Sequence, residues 1–303
     1  MFMGLVGSEM CIRDRNNALD TKALGLEVSL AVAKFVTGKE NMHYGVWDNL
    51  DPCLENLGKA QEQYTKLLFK YFPKKKKLKI LDIGGGAGET AKKLISLGHS
   101  VTIIVPSDIL SKRCLENTNN KAEVHNIRFE DYEPKKNQTF DLCLFSESFQ
   151  YIPAKIALKK AKELLNKGGQ ILVADCFRSD VKHSSHNRRP GGGHPLSEML
   201  KLIKDVDLNI ISKKEITKSV APSLDIEQKF YNVVGVGIDK VQQGLVASHP
   251  WKMKLFNLVY KTIVNQKKRR RLHDRIYGNI RNSDNFIKFN HYMIFQLSSN
   301  KES

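Results

Sequence analysis

"ILDIGGGAGET", residues 80–90, runs a short apolar strand into four glycines and ends on an acid followed by threonine. A glycine cluster after a strand lets a nucleotide-bearing ligand come close to bare backbone, and the choice of ligand decides the fold's use. The dinucleotide fingerprint GxGxxG is incomplete here. Gly84 and Gly86 fit it, but Glu89 stands in the place of the third glycine, and a carboxylate in the first helical turn is a poor neighbour for a pyrophosphate. The stretch instead reads D-x-G-x-G-x-G over Asp82, Gly84, Gly86 and Gly88, with the acid at the strand end.

Outward from this loop the chain alternates β-branched apolar runs with helical patterns, which predicts a parallel sheet covered on both faces. Strands are expected near 78–83, 101–105, 123–128, 140–146, 170–176, 208–217 and 291–298, with helices near 88–97, 107–117, 154–166 and 195–204. In "LLNKGGQILVADCF", 164–177, a helix is expected to end, Gly168 and Gly169 to turn the chain, and a strand to begin. Five segments follow: 1–15 set aside, 16–70 a helical lid, 71–218 the α/β core, 219–285 a helical, basic acceptor cap with helices near 224–243 and 250–277, and 286–303 the last strand and tail. Leu5–Arg15 resembles a translated sequencing adapter and is excluded from the fold argument.

The loop and these strands resemble motif I and the following strands of the class I S-adenosylmethionine-dependent methyltransferases. "FDLCLFSESFQYI", 140–152, resembles that family's fourth strand and loop, and "NMHYGVWD", 41–48, resembles the HYGxW lid of its quinol, tocopherol, sterol and lipid members. The resemblance implies a doubly wound, Rossmann-like sheet of about seven strands with an N-terminal helical lid and a helical insertion before the last strand. It implies S-adenosyl-L-methionine as cofactor, bound by Tyr44, Asp82, Gly84, Gly86, Gly88, Ser107, Phe129, Glu130 and Ser146, with His43 and Trp47 also carried over from the lid. Two acids usual in the family are missing: Val105 and Pro106 stand where one meets the ribose, and Arg128 and Phe129 where another meets adenine.

Methyl transfer needs an aligned nucleophile and, for a hydroxyl acceptor, a base. His183, His186 and His194 follow the fifth strand, where open α/β sheets place their ligands, and His194 is favoured because Gly191–Gly193 make an adaptable loop before Pro195. Glu147, Gln150 and Tyr151 flank the expected transfer position on the resemblance, and the catalytic set is His194, Glu147 and Tyr151. Arg188 and Arg189 suit an acidic group on the acceptor. The expected acceptor is small or amphipathic, quinol, phenolic or lipid-like, methylated at oxygen before carbon or nitrogen.

The formal charge of the 303-residue chain is +17, and it is uneven: Trp251–Arg281 holds ten Lys and Arg against one acid, Asp274. Such a segment suits peripheral contact with anionic membrane. It also raises the alternative of a nucleic-acid methyltransferase, which is disfavoured because "SESF" replaces the NPPY-type tetrapeptide of base-amine enzymes. A non-catalytic S-adenosylmethionine-binding protein is the remaining alternative, prompted by the two missing acids. No run of about 18 apolar residues occurs, so no transmembrane segment is expected. Cys53, Cys114, Cys143 and Cys176 stand singly without metal-ligand spacing, which predicts no metal and buried thiols of a reducing cytoplasm.

Overall fold

The computed structural model describes residues 21–182, 189–263 and 265–299. Seven strands form one sheet: β1 (Lys79–Ile83), β2 (Ser100–Ile104), β3 (Glu123–His125), β4 (Phe140–Ser146), β5 (Leu165–Arg178), β6 (Leu208–Glu215) and β7 (Asn290–Ser299). Their order is β3-β2-β1-β4-β5-β7-β6, with β1 to β5 parallel and β7 antiparallel to both its neighbours. This is the doubly wound, Rossmann-like sheet of seven strands that the sequence led us to expect.

Strand alternation sends each side chain to one of two cores. Ile80 of β1 and Leu142 and Leu144 of β4 face one side, where they pack with Tyr64 and Leu68 of α2 (Leu57–Phe69), Ala91 and Leu94 of α3 (Glu89–Ser96) and Leu110 and Cys114 of α4 (Asp108–Asn117). Leu81, Ile83, Cys143 and Phe145 face the other, under Leu158 and Ala161 of α5 (Ala154–Leu164) and Met199 and Ile203 of α6 (Leu196–Asp205). A helix ahead of α2, Thr21–Thr37, adds Leu26 and Leu30 to the first core. Both faces of the sheet are therefore covered at its centre, over β1, β2, β4 and β5, as parallel strands require, while the edge strand β6 is largely exposed.

Two expectations change in detail. The glycine turn before the fifth strand lies inside β5, where the register to β4 slips between the Phe140–Leu165 and Leu142–Gln170 pairs. Gly169 sits there because a Cβ would come within 2.8 Å of the Phe140 carbonyl. The single helix expected over 250–277 is two helices, Pro250–Ile263 and Gln266–Tyr277. The chain turns between them because the second packs back onto the preceding helix, Pro222–Ser248, crossing it where Gly235 leaves room for Ile276 and Tyr277.

The segment after β6 covers the sheet only with its first part. A turn of helix, Thr217–Val220, and the start of Pro222–Ser248 bury Val220, Leu224 and Ile226, while beyond Gly235 the long helix projects outward. A last helix, Ser283–Phe289, delivers the chain to β7. No described helix is long and apolar enough to cross a membrane.

The loop after β5 is held tightly: Arg178 N–H donates to the His194 carbonyl at 2.9 Å, and Gly193, at φ +96°, lies so close to β5 that a Cβ would overlap the Cys176 carbonyl. Gly193→Ala should therefore cost about 2–4 kcal/mol in denaturant unfolding. A loss below about 0.5 kcal/mol would show that this loop is free to move.

Candidate active site

The chain runs from β1 outward to β2 and β3 and then returns to β4 on the other side, so the carboxyl ends of β1 and β4 diverge and leave a crevice. A cleft opens there. Its floor is the loop Gly84–Ala87, one wall is Ser146–Ser148 with Tyr151, the other is Val105, Pro106 and Leu110, and the lid residues Glu40–His43 lie over it. Gly84 is required by φ +75° and by the crossing of Ser148, whose Cβ would overlap an added Cβ; the Ser148 hydroxyl in turn donates to the Ile83 carbonyl.

The electrostatics of the cleft oppose those of the chain. Glu40, Asp82, Glu89 and Glu147 line it, and none of the described lining residues is Lys or Arg. A cleft of this charge attracts a cation and repels phosphates. Asp82 is buried, its Oδ2 has no hydrogen-bond partner, and burial pushes its carboxyl up to about 7. An orphaned buried carboxylate beside bare glycine backbone fits the ammonium of an amino-acid ligand.

Glu147 holds the site together. It ends β4 in a left-handed conformation, φ +57°, and its Oε1 accepts from the Tyr44 backbone N–H at 2.8 Å and from the Tyr292 hydroxyl at 2.9 Å. Tyr292 lies 2.8 Å from the Tyr64 hydroxyl, which lies 3.0 Å from Ser146 Oγ. Burial raises the Glu147 carboxyl above its ordinary range, opposed by the bonds from Tyr44 and Tyr292. Behind it, burial pushes Asp175 up to about 8, although its carboxylate accepts from the backbone N–H groups of Gln150 at 3.0 Å and Cys176 at 2.7 Å.

The lid is tied at three points. Glu40 N–H donates to Glu89 Oε1 at 3.1 Å, Tyr44 N–H donates to Glu147, and Gly45 N–H and Trp47 Nε1 both donate to Ser223 Oγ of the insertion. Glu89, which weighed against a dinucleotide, is thus also a lid anchor. His43 stacks on Tyr64 at 4.6 Å between centroids, and its Nδ1 meets the Tyr44 carbonyl at 2.8 Å, so Nδ1 carries the proton. Its Nε2 is buried without a partner, and burial lowers its pKa to about 4, which keeps the ring neutral.

Of the residues singled out in the sequence, Asp82, Gly84, Gly86, Ser146, Glu147, Tyr151 and His43 line the cleft. Others are placed elsewhere. Gly88 makes room for α4, since a Cβ would come within 3.0 Å of Cys114 Cα. Ser107 caps α4 by accepting from Leu110 N–H, and Phe129 is buried edge-on against Phe145. Glu130 gives its carbonyl to Lys160, and Tyr44 turns its ring toward Phe286 and Tyr292 with its hydroxyl 3.4 Å from Arg281. Trp47 is buried against Leu57 and Ala60.

His194 also points away from the cleft. Its Nε2 lies 2.9 Å from the Ile152 carbonyl and 3.3 Å from that of Phe149, so this nitrogen is a donor and has no lone pair for a substrate proton. These contacts hold the imidazole against the 149–152 turn, with its ring edge-on to Phe149. Arg189 donates to the Ser179 and Val181 carbonyls; His183, His186 and Arg188 lie outside the described residues. Sequence reasoning missed Glu40, Tyr64, Asp175 and Tyr292, and placed Asn41 and Met42 in the lid without giving them a role. Only Tyr64 carried a local signal, as part of an apolar helix face.

Comparison with known proteins agrees with this geometry. The sequence profile of a methyltransferase domain matches residues 57–211. An uncharacterised methyltransferase of Geobacillus kaustophilus is 28% identical over 152 residues, 47% of this chain and 70% of that protein. A ubiquinone/menaquinone biosynthesis C-methyltransferase of Wigglesworthia glossinidia brevipalpis is 28% identical over 136 residues, 42% of this chain and 48% of that protein. Among solved structures, geranyl diphosphate C-methyltransferase of Streptomyces coelicolor A3(2), bound to Mg2+, geranyl-S-thiolodiphosphate and S-adenosyl-L-homocysteine, has a TM-score of 0.61 at 11% identity, covering 98% of this chain and 97% of that one. A [4+2]-cyclase superposes with a TM-score of 0.63 at 14% identity over 91% and 95% of the two chains, so the shared fold alone does not fix the reaction.

The pKa of Asp82 makes a stability prediction. In the native state the carboxyl keeps its proton up to about 7 against an ordinary value of 3.8, so native stability falls as pH rises between these values and stays low above them. Asp82→Asn should melt about 2–6 °C above the unsubstituted protein at pH 8 without ligand, and the gap should close near pH 4. An equal gap at both pH values would mean the carboxyl is not held protonated by burial.

Proposed function

Because the chain belongs to the methyltransferase-domain family and is an S-adenosylmethionine-dependent methyltransferase, we propose that it methylates a small amphipathic acceptor, quinol-like, phenolic or lipid-like, at oxygen. The observation behind this reading is Glu147: a buried carboxylate of raised pKa on the wall of a cleft without cations among its described lining residues. A cation-free cleft favours an acceptor whose reacting end is a neutral hydroxyl over one bearing phosphate or carboxylate there.

The cofactor supplies an electrophilic methyl group: the acceptor's electron pair takes the methyl carbon as the carbon–sulfur bond breaks, and sulfur leaves neutral. Asp82 and the backbone of Gly84–Ala87 would hold its amino-acid end, Val105, Pro106 and Leu110 would flank its nucleoside end, and His43 Nε2 would accept a hydrogen bond from it. Glu147 takes the acceptor's proton, and the hydrogen bonds from Tyr44 and Tyr292 fix its orientation. Met42, packed against Gly86, and Tyr151, at the mouth, exclude water from the reacting atoms. His194 is left a positioning residue that ties the post-β5 loop to the 149–152 turn. The basic segment 251–281 rests on anionic headgroups, near a source of lipid-like acceptor.

Methylation at carbon is the second reading, favoured by the C-methyltransferase among the relatives. It uses the same Glu147, which then removes a proton from the methylated carbon or its neighbour. Mass spectrometry of the product from a panel of quinols and unsaturated lipids separates the two.

Glu147→Gln should lower kcat about 10²–10⁴-fold while changing S-adenosylhomocysteine affinity less than about threefold. A variant with near-normal turnover on every acceptor removes Glu147 as the base. Protonation of Asp82 opposes a cationic ligand, so S-adenosylhomocysteine affinity measured by calorimetry should fall about tenfold per pH unit below pH 7. Asp82→Ala should bind it weakly at all pH values; unchanged affinity would contradict the assignment.

A further inference from the structure

The second half of the long helix Pro222–Ser248 and the helix after it, Pro250–Ile263, form an arm that leaves the core. Beyond Gly235 every residue of the first helix but Asp239 is exposed. Val234, Ile238, Val241 and Leu245 recur at helical spacing i, i+4, i+7 and i+11 and make one apolar stripe, with Val241 65% exposed. Trp251, Leu255 and Leu258 make a second stripe on the next helix at i, i+4 and i+7, 65%, 54% and 62% exposed. The two stripes flank the turn at His249 and Pro250. An apolar surface of this extent on a projecting helix pair marks an interaction site.

The charges say what covers it. From Lys240 to Arg275 the chain carries ten Lys and Arg and, after Asp239, the single acid Asp274. Lys252 sits over the Trp251 ring at 5.8 Å, and Lys254 and Arg270 are exposed. A second copy docked by a two-fold axis would bring these cations against their own kind. A nucleic acid would meet the cations but leave valine and leucine in water. A bilayer with anionic headgroups satisfies both at once, apolar stripes entering the acyl boundary and cations meeting phosphates.

We propose that the arm of residues 234–258 is a membrane anchor that inserts shallowly into anionic bilayers, with the exposed cations Lys252, Lys254 and Arg270 on the headgroups. This sharpens the headgroup contact proposed above by assigning insertion to two stripes largely outside the basic segment. It places the acidic cleft near the bilayer surface, where a lipid-like acceptor is concentrated. The inference is independent of methyl transfer, because its readout is partition onto vesicles with no acceptor present.

The full chain is mixed with phosphatidylcholine vesicles containing or lacking about 30% phosphatidylglycerol. Two tryptophans report: Trp47 is buried and Trp251 is exposed, so insertion should blue-shift emission from Trp251. We expect sedimentation with the anionic vesicles, a blue shift lost in Trp251→Phe, and binding at least about tenfold weaker both in the double variant Val241→Asp, Leu245→Asp and at high salt. S-adenosylhomocysteine affinity of the double variant should match the unsubstituted protein, which separates lost insertion from lost folding. Equal binding by the double variant, no preference for anionic vesicles, or a blue shift that arises from dimerisation without vesicles would each overturn the proposal.

Discussion

The site and much of the fold depend on one buried carboxylate. Glu147 Oε1 receives a backbone N–H from the lid and a hydroxyl from the last strand, and through that hydroxyl it reaches Tyr64 of α2 and Ser146 of its own strand. Two segments distant in sequence thus donate to one acceptor, and its removal would leave a buried N–H and a tyrosine chain without an anchor. The left-handed backbone at Glu147 is the local strain that aims the carboxylate inward, a cost the surrounding bonds sustain.

The cleft is acidic within a chain of net charge +17. Surface charge and cleft charge therefore do separate jobs. The cations lie mostly on solvated faces and on the arm, and the carboxylates converge where a positively charged ligand belongs. A nucleic acid drawn to the surface would be repelled at the cleft, which weakens the nucleic-acid methyltransferase reading on physical grounds.

Much of the fold was legible because its signals are local. Alternation of Ile80, Leu81, Asp82 and Ile83 gives both sheet faces and the site acid in four residues, and Glu89 at the start of α3 disfavours a dinucleotide. The rest is set by long-range contact. Tyr64 and Tyr292 meet across 228 positions and carry no motif. His194 follows a flexible-looking glycine run, yet its ring is held by the Phe149 and Ile152 carbonyls, more than 40 positions away. Ser107 and Phe129, expected at the cofactor from the sequence, cap α4 and pack against Phe145 through contacts that no local motif announces.

β7 enters the sheet between β5 and β6, and β6 pairs with no other strand. During synthesis β6 therefore waits, with its edge unpaired, until the whole 219–285 segment and then residues 290–299 have emerged. Tyr292 rides on β7, so the hydrogen bond that steadies Glu147 forms only once that strand is in place. A truncated or half-made chain can display the glycine loop, but it lacks the hydroxyl that completes the site. The site is complete only once β7 has joined the sheet.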